Sequence, residues 1–450
     1  MHYVSAGPGE AHGHTTNWGD VSMIRFLLAV LAVAVVLTGV YVVGRLIYDI
    51  VQLIGERRRS KNDAALPPLW RDVKALGIAA QIGVLAVIVA IIAYLRSNFL
   101  TRAEDIGLNL SFDFLDQPAG ISIADNPLGP NDTVSEALTQ GFLNTVRVIL
   151  IGIPAALILG TLIGIARLSS NWVLQKLATG YVEFFRNIPP LVVIIVMWRV
   201  VFLEGFPRSQ EAWKPLGEWF IFSNNRFAFP SLLGQDNFDA FRLILVLALL
   251  AAAAVAVWRT RVFNETGSPH HRVLWGIGTF VGIATVAYVA LGAPIATSKP
   301  ALDEAGRVFS GGLRMQMPYA ALTTALVIYT ATHIAEIVRG SILAVHKGQV
   351  EAANALALSG FQRYRFVVLP QAMRIAFPPL INQFLNFSKN SSLAIAIGFS
   401  EVTSLVNDLF GQSQPAPQLI LILMLFYLTL SLLLSAVGNL INRRLQVVGR

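Results

Sequence analysis

Apolar runs long enough to cross a bilayer recur along this chain, and no other feature constrains its fold so tightly. A helix rises 1.5 Å per residue, so about 20 apolar residues span the roughly 30 Å hydrocarbon layer. Within that layer every backbone N–H and C=O must find a partner inside the protein, which leaves helices for runs of this length. Such runs lie at about 24–54, 74–95, 141–166, 180–203, 241–258, 273–292, 318–338, 377–400 and 418–440. They predict an all-α polytopic membrane protein with about nine transmembrane helices. The first run is too long for a cleaved signal peptide and lacks a small-residue exit, so it reads as a retained span. Composition agrees, since only 13% of the 450 residues are charged, about half the share usual in a soluble protein.

Charge placement gives the orientation. Lys and Arg collect in the connecting stretches "GERRRSK", "RDVK", "ARLSSNWVLQK" and "WRTRVFNETGSPHHR" and in the tail "NRRLQVVGR". Cytoplasmic loops carry this excess, so the net charge of +8 follows from topology and calls for no nucleic acid. Residues 97–140 are acidic, with Glu104, Asp105, Asp113, Asp116, Asp125, Asp132 and Glu136 against Arg102. That segment is expected outside, with the N-terminus outside and the C-terminus cytoplasmic.

Several chemistries are excluded. The chain has no Cys, which removes disulfides, thiolate metal sites and cysteine nucleophiles. No Gly-Lys pair exists to build a phosphate-cradling loop, and there is no H-E-x-x-H pattern or nucleophile elbow. His12 and His14 fall in a polar, Gly-rich tail expected to be disordered, and His270 and His271 in a basic, solvated loop. No catalytic residue, metal site or bound cofactor is expected. If ATP drives this chain, a partner subunit hydrolyses it.

One polar stretch interrupts the apolar pattern: "EAANALALSGFQRYRFVVLP", from Glu351 to Pro370. Its first part contains good helix formers, with Glu351 near the start, where a negative charge suits the helix dipole. Gly360 is expected to supply a left-handed stop, and Pro370 to end the second part after Leu369. Ala352, Ala353 and Leu356 would form a small apolar face able to seat in a pocket on a partner. The alternative is a helix lying on the headgroups, which accommodates Arg363 and Arg365 and gives no reason for the alanines.

Glu-Ala-Ala, a Gly-containing turn and Leu-Pro resemble the "EAA" loop of bacterial ATP-binding cassette (ABC) importer permeases. "EFFRNIPPLVV", "AEIVRGSI" and "KNSSLAIAIGFSEV" resemble hallmark stretches of the polar amino acid permeases within that family, and "FDFLDQPAG" an outer loop of its general L-amino acid subgroup. Ala357 departs from the pattern, because the family usually has Gly six residues after the Glu. The resemblance implies a type I importer core that translocates amino acids across the bacterial cytoplasmic membrane. Its implied partners are a cytoplasmic ABC ATPase dimer docked on the 351–370 loop, a second permease subunit, and an extracytoplasmic amino-acid-binding protein. An ion- or proton-coupled carrier or channel is the alternative. It would call for internal symmetry or acidic residues in mid-span, and neither is visible.

The expected organisation is a tail at 1–23, N-terminal spans and an outer loop at 24–138, a permease domain at 139–440 and a cytoplasmic tail at 441–450. An insert at 204–317 carries two of the spans. Within the run at 377–400, Lys389 stands beside Asn386, Asn390, Ser391 and Ser392. Charge at membrane depth is costly and usually faces a cavity or a partner. These five residues are the candidate substrate path, where Lys389 would meet an amino acid's carboxylate, and Pro378 and Pro379 would loosen the helix before them. The competing reading pairs Lys389 with a neighbouring helix or places it nearer the interface. Arg147 and Glu336 read as helix-end anchors, and Arg199 as a snorkelling side chain.

Overall fold

The computed structural model describes residues 39–57, 68–105, 107, 111–122, 128–266, 271–303, 305 and 308–445, and most of them are helical. The tail at 1–23 and much of the first apolar run lie outside the described residues. The described residues form two compact units, one of those up to 194 and from 322 on, the other of those within 195–321. Among the described residues six helices are long and apolar enough to span a membrane, or up to eight if two bent pairs each count as a span. About nine is therefore not reached among them.

The first unit begins with α1 (39–57) and α2 (Val73–Asp105). Their ends are tied by Arg57 to Asp72 at 2.8 Å and Lys74 to Glu56 at 2.7 Å. The guanidinium of Arg57 holds the Asp72 carboxyl below the usual carboxylate range. Next, α3 (Val134–Ala166) starts with a capping box in which Thr133 and Glu136 satisfy each other's backbone N–H groups. The run at 180–203 is not one straight helix. It divides between α4 (Trp172–Arg186) and the helix Pro190–Leu203, which meet at 104°. The latter comprises α5 (Pro190–Val196) and a wide turn over Met197–Leu203, and its residues from 195 on belong to the second unit. Pro189 and Pro190 lack the N–H groups that would carry α4 onward, and the Asn187 side chain caps its end by donating to the Glu183 carbonyl at 2.7 Å.

The second unit holds the short turn α6 (Pro215–Glu218) and the antiparallel pair α7 (Phe238–Thr266) and α8 (Arg272–Ala290). It also contains short strands in the parts of the 204–317 insert that lie outside its two spans. β1 (Ile221–Phe222), β2 (Arg226–Phe229) and β7 (Leu313–Gln316) form one antiparallel sheet, with Phe227 opposite Met315. β3 (Ser231–Gly234) pairs with β4 (Ile295–Ser298), and β5 (Ala301–Leu302) with β6 (Phe309–Ser310). Phe202, Phe206, Trp213 and Phe227 pack ring to ring at 4.8–5.7 Å, and Ile221, Ala228 and Phe309 form the buried core of these short strands.

The first unit resumes in α9 (Met317–Leu343), whose N-terminal residues belong to the second, followed by α10 (Lys347–Ala355). Then α11 (Gly360–Arg363), a wide turn at Tyr364–Val368 and α12 (Leu369–Asn390) run on as one helix. The helix continues through Ile397 in a tighter turn, and α13 (Val402–Gly411) follows at 43°. The last helix, α14 (Ala416–Leu445), extends into the segment expected as a tail.

Small residues let α3 act as the spine of this unit. A Cβ at Gly152 would fall 2.1 Å from Cζ of Phe387 on α12, and one at Gly160 would fall 2.8 Å from the Ala331 carbonyl oxygen on α9. Such close approach is the usual basis of helix packing where lipid removes the hydrophobic drive. At the start of α3, Val134, Leu138 and Phe142 meet Leu405 and Leu409 of α13 and Leu419 and Phe426 of α14. The rings of Phe142 and Phe426 stack at 4.4 Å. Phe114 and Leu115, from the "FDFLDQPAG" stretch, are buried in the same cluster, with Phe112 packed against it.

Candidate functional site

The polar stretch folds into a helical hairpin. His346 caps α10, its Nδ1 accepting from the Gly348 N–H at 3.1 Å. At the other end the Ala357 N–H donates to the Asn354 carbonyl at 2.9 Å and the Leu358 N–H to the Ala353 carbonyl at 3.2 Å. This nested pair is a Schellman motif, which needs a left-handed residue after the helix. Ala357 occupies that place with φ 54°. Gly360 does not supply the stop expected of it. It opens α11, one residue after the Ser359 cap, whose hydroxyl accepts from the Gln362 N–H while the Gln362 side chain accepts from the Ser359 N–H.

Pro370 also differs from expectation, since the helix runs through it. A proline ring collides with the carbonyl four residues back, here that of Phe366, and the wide turn at Tyr364–Val368 opens the backbone just there. Leu369 and Pro370 therefore begin α12 rather than end the segment.

The apolar face divides in two. Ala353 is 2% exposed and faces the rest of the chain, where α10 packs on the wide turn. Val345, Val368 and Ala372 form a small core beneath, with Ile342 and Val350 against it. Glu351 and Ala352 are exposed, and Leu356 is 76% exposed. Ala353 is thus no part of the outward surface, because its helical position turns it inward. Phe361, Tyr364 and Phe366 add exposed aromatic area, and Arg363 braces the hairpin by donating to Asn354 at 2.6 Å.

On α9, Glu336 is more than a helix-end anchor. Its carboxylate accepts from Arg167, just beyond α3, and from Arg339 one turn on. This charge-assisted triad locks the end of α3 to α9 close in sequence to the hairpin. Arg147 is exposed and reaches Asn144 at 3.2 Å, and Arg199 lies 3.5 Å from the exposed Glu204.

The proposed path residues do not all share one surface. Asn386 and Lys389 are exposed and Asn390 is half-buried, at helical spacings of three and four that put them on one side of α12. Asn382, four residues before Asn386, extends the stripe, and that spacing makes it legible in the sequence. Ser391 turns inward, fully buried, and donates to the Ser388 carbonyl at 2.7 Å, while Ser392 is half-buried and donates to the Lys389 carbonyl at 2.7 Å. Lys389 lies just before the backbone tightens at Ser391, within a helix that continues to Ile397.

The sequence reading passed over Glu401, which is 0% exposed. It caps α13 by accepting from the Ser404 N–H at 2.9 Å, and it also accepts from Thr145 of α3 at 3.3 Å and Tyr427 of α14 at 3.1 Å. The available signal was a carboxylate just before an apolar helical run, three residues ahead of Ser404, as a cap requires.

Comparison with known proteins agrees with this architecture. Residues 244–447 match the family described as binding-protein-dependent transport system inner membrane component. The chain is 39% identical over 383 residues to the general L-amino acid transport system permease protein AapQ of Rhizobium johnstonii, covering 84% of this chain and 94% of that one. It is 38% identical to the putative amino-acid ABC transporter permease protein YhdX of Escherichia coli, covering 82% and 94% of the two chains. It is also 35% identical to the glutamate/glutamine/aspartate/asparagine transport system permease protein BztB of Rhodobacter capsulatus, covering 86% and 97%. These matches favour an ABC transport permease over an ion-coupled carrier or channel. The chain belongs to the amino-acid ABC transporter permeases, the multi-pass membrane subunits of binding-protein-dependent transport systems.

Proposed function

We propose that this chain is the translocating subunit of an importer for amino acids with polar side chains, and that ATP hydrolysis reaches it through the hairpin of α10 and α11. The observation that carries the reading is the division of that hairpin. One side is anchored by Ala353 and the Val345–Val368–Ala372 core, and the other presents Glu351, Ala352 and Leu356 unpacked at its rim. A short helix capped at both ends and braced on the membrane helices transmits a push as a rigid body. The contact is made with a cytoplasmic ATPase dimer, which binds and hydrolyses the ATP. This chain performs no catalysis of its own.

A second permease subunit covers the exposed side of α12 and encloses the path between the two. Asn386, Lys389 and Asn390, with Asn382, line that path, and Ser391 and Ser392 shape the end of the helix behind them. Lys389 receives the substrate's carboxylate and the asparagines its remaining polar groups. An extracytoplasmic binding protein delivers the amino acid on the side of "FDFLDQPAG", so the N-terminus lies outside and the C-terminus in the cytoplasm. The permease domain is 139–440, with the insert at 204–317.

Reconstitution with the ATPase and the binding protein in proteoliposomes tests the proposal. Uptake of radiolabelled glutamate, glutamine, aspartate or asparagine that needs both partners and ATP supports it. Uptake driven by a proton or sodium gradient without ATP overturns it.

A further inference from the structure

The hairpin has no direct hold on α3. The core beneath it draws Ile342 from the end of α9 and Val368 and Ala372 from the wide turn and α12, and among the described residues it takes none from α3. Yet α3 is the helix whose Gly152 meets Phe387, next to Asn386 on the proposed path. Of its neighbours, α9 touches both α3 and the hairpin core.

Gly160 and Gly164, one turn apart, bring the backbones of α3 and α9 together, and a Cβ at Gly164 would fall 2.8 Å from the Ala335 carbonyl oxygen. Small-residue contacts of this kind pack closely but carry no directional bond. One turn further on, Arg167 closes the seam by donating to the Glu336 carboxylate, a charge-assisted bond that does fix direction. Glu336 lies six residues before Ile342, about 9 Å along the helix. The Arg167 side chain is 12% exposed, and Nε of both Arg167 and Arg339 is buried with no acceptor among the described residues. Both guanidiniums are thus committed to the one carboxylate.

We propose that Arg167 and Glu336 form the joint through which the push on the hairpin reaches α3, which makes both of them positioning residues for transport. The proposal rests on the hairpin being the ATPase contact. With the joint closed, the last turns of α9 and the end of α3 move together, and α3 presses on α12 at Phe387. With it broken, α9 bends away from α3 below Gly164 and absorbs the movement, so that ATP is spent without carrying substrate. Arg339 has a lesser part, since it pairs with Glu336 within α9 and bridges no second helix.

Proteoliposomes holding the permease with its ATPase and binding protein test the joint, by comparing uptake of the radiolabelled amino acid with phosphate released. Arg167→Gln breaks the link between the helices and leaves Glu336 paired with Arg339, whereas Arg339→Gln does the reverse. Arg167→Gln should lower the amino acid carried per ATP by about tenfold, the scale of one hydrogen bond to a charged group, with the ATPase still bound and still hydrolysing. Arg167→Lys should recover part of that loss. Arg339→Gln should stay within about twofold of the parent, the scale of an ion pair within one helix. Equal falls in the two glutamine variants, or a parental ratio in Arg167→Gln, overturn the joint. Uptake by the parent without ATP would instead overturn the reading beneath it. Hydrogen exchange on the unaltered complex needs no variant. On adding a non-hydrolysable ATP analogue, protection of the amides at 163–168 should change along with that of α10, and a change confined to α9, α10 and α12 refutes the joint.

Discussion

Ala357→Gly should stabilise the hairpin, although Ala to Gly in a helix does the opposite. Ala357 lies outside the helix at φ 54°, holding the turn whose N–H groups bond back at 2.9 and 3.2 Å. A side chain in the left-handed region costs roughly 1–2 kcal/mol, from which glycine's greater freedom in the unfolded chain subtracts several tenths. The net gain is about 1 kcal/mol, or about a fivefold reduction in local opening if the turn opens independently. Hydrogen exchange read by mass spectrometry on the 346–363 region is the assay. Amides at positions 357 and 358 should exchange about fivefold more slowly in Ala357→Gly. Ala355→Gly, in the last helical residue of α10, should exchange faster, because glycine there costs up to about 1 kcal/mol. If both variants speed exchange alike, position 357 behaves as helix interior and the turn assignment is wrong.

Other predictions follow from the same geometry. Gly152→Val should lower the unfolding free energy in mixed detergent by about 1–3 kcal/mol through overpacking, because even a Cβ would run into the Phe387 ring. Phe387→Leu should return part of that loss, and strictly additive effects would show that the two sites do not meet. Lys389→Met should abolish uptake while the ATPase still co-purifies, whereas near-parental uptake removes Lys389 from the path. With no native Cys, a single Cys in place of the exposed Asp116 should react with an impermeant thiol reagent added from outside. One in place of the exposed Arg365 should react only after permeabilisation, and the reverse pattern inverts the topology.

What the sequence made legible was mainly what depends on hydrophobic period and length. The helices Val134–Ala166, Met317–Leu343 and Ala416–Leu445 follow from long apolar runs, whose backbone has no alternative in lipid. Phe114 burying itself beneath the "FDFLDQPAG" stretch was readable from Pro118 and Gly120, which turn the chain back. Failures came where two local rules compete. Gly360 is a strong stop signal, yet Ser359 and Gln362 form a capping box at that point, and the helix starts where it was expected to end. Pro370 reads as a breaker until a wide turn upstream absorbs its clash. Ala352 and Ala353 are indistinguishable in composition, and only the packing of α10 on the wide turn decides which faces inward. Glu401 joins α3, α13 and α14 across more than 250 residues of sequence separation to Thr145, and no local pattern reports such a partner.

If the outward rim of this hairpin carries the ATPase, rim and core variants should differ in whether the ATPase co-purifies with them. Leu356 is 76% exposed, so Leu356→Asp leaves the free permease folded. In a docked interface the same carboxylate would be buried without a partner, at a cost of several kcal/mol. Ala353→Asp serves as the contrast, because it places the charge inside the chain and should disorder the hairpin itself. The predicted result for Leu356→Asp is parental membrane insertion and hydrogen-exchange protection of α10, together with loss of the ATPase and of uptake. An ATPase that stays bound to Leu356→Asp as firmly as to the parent would contradict the account.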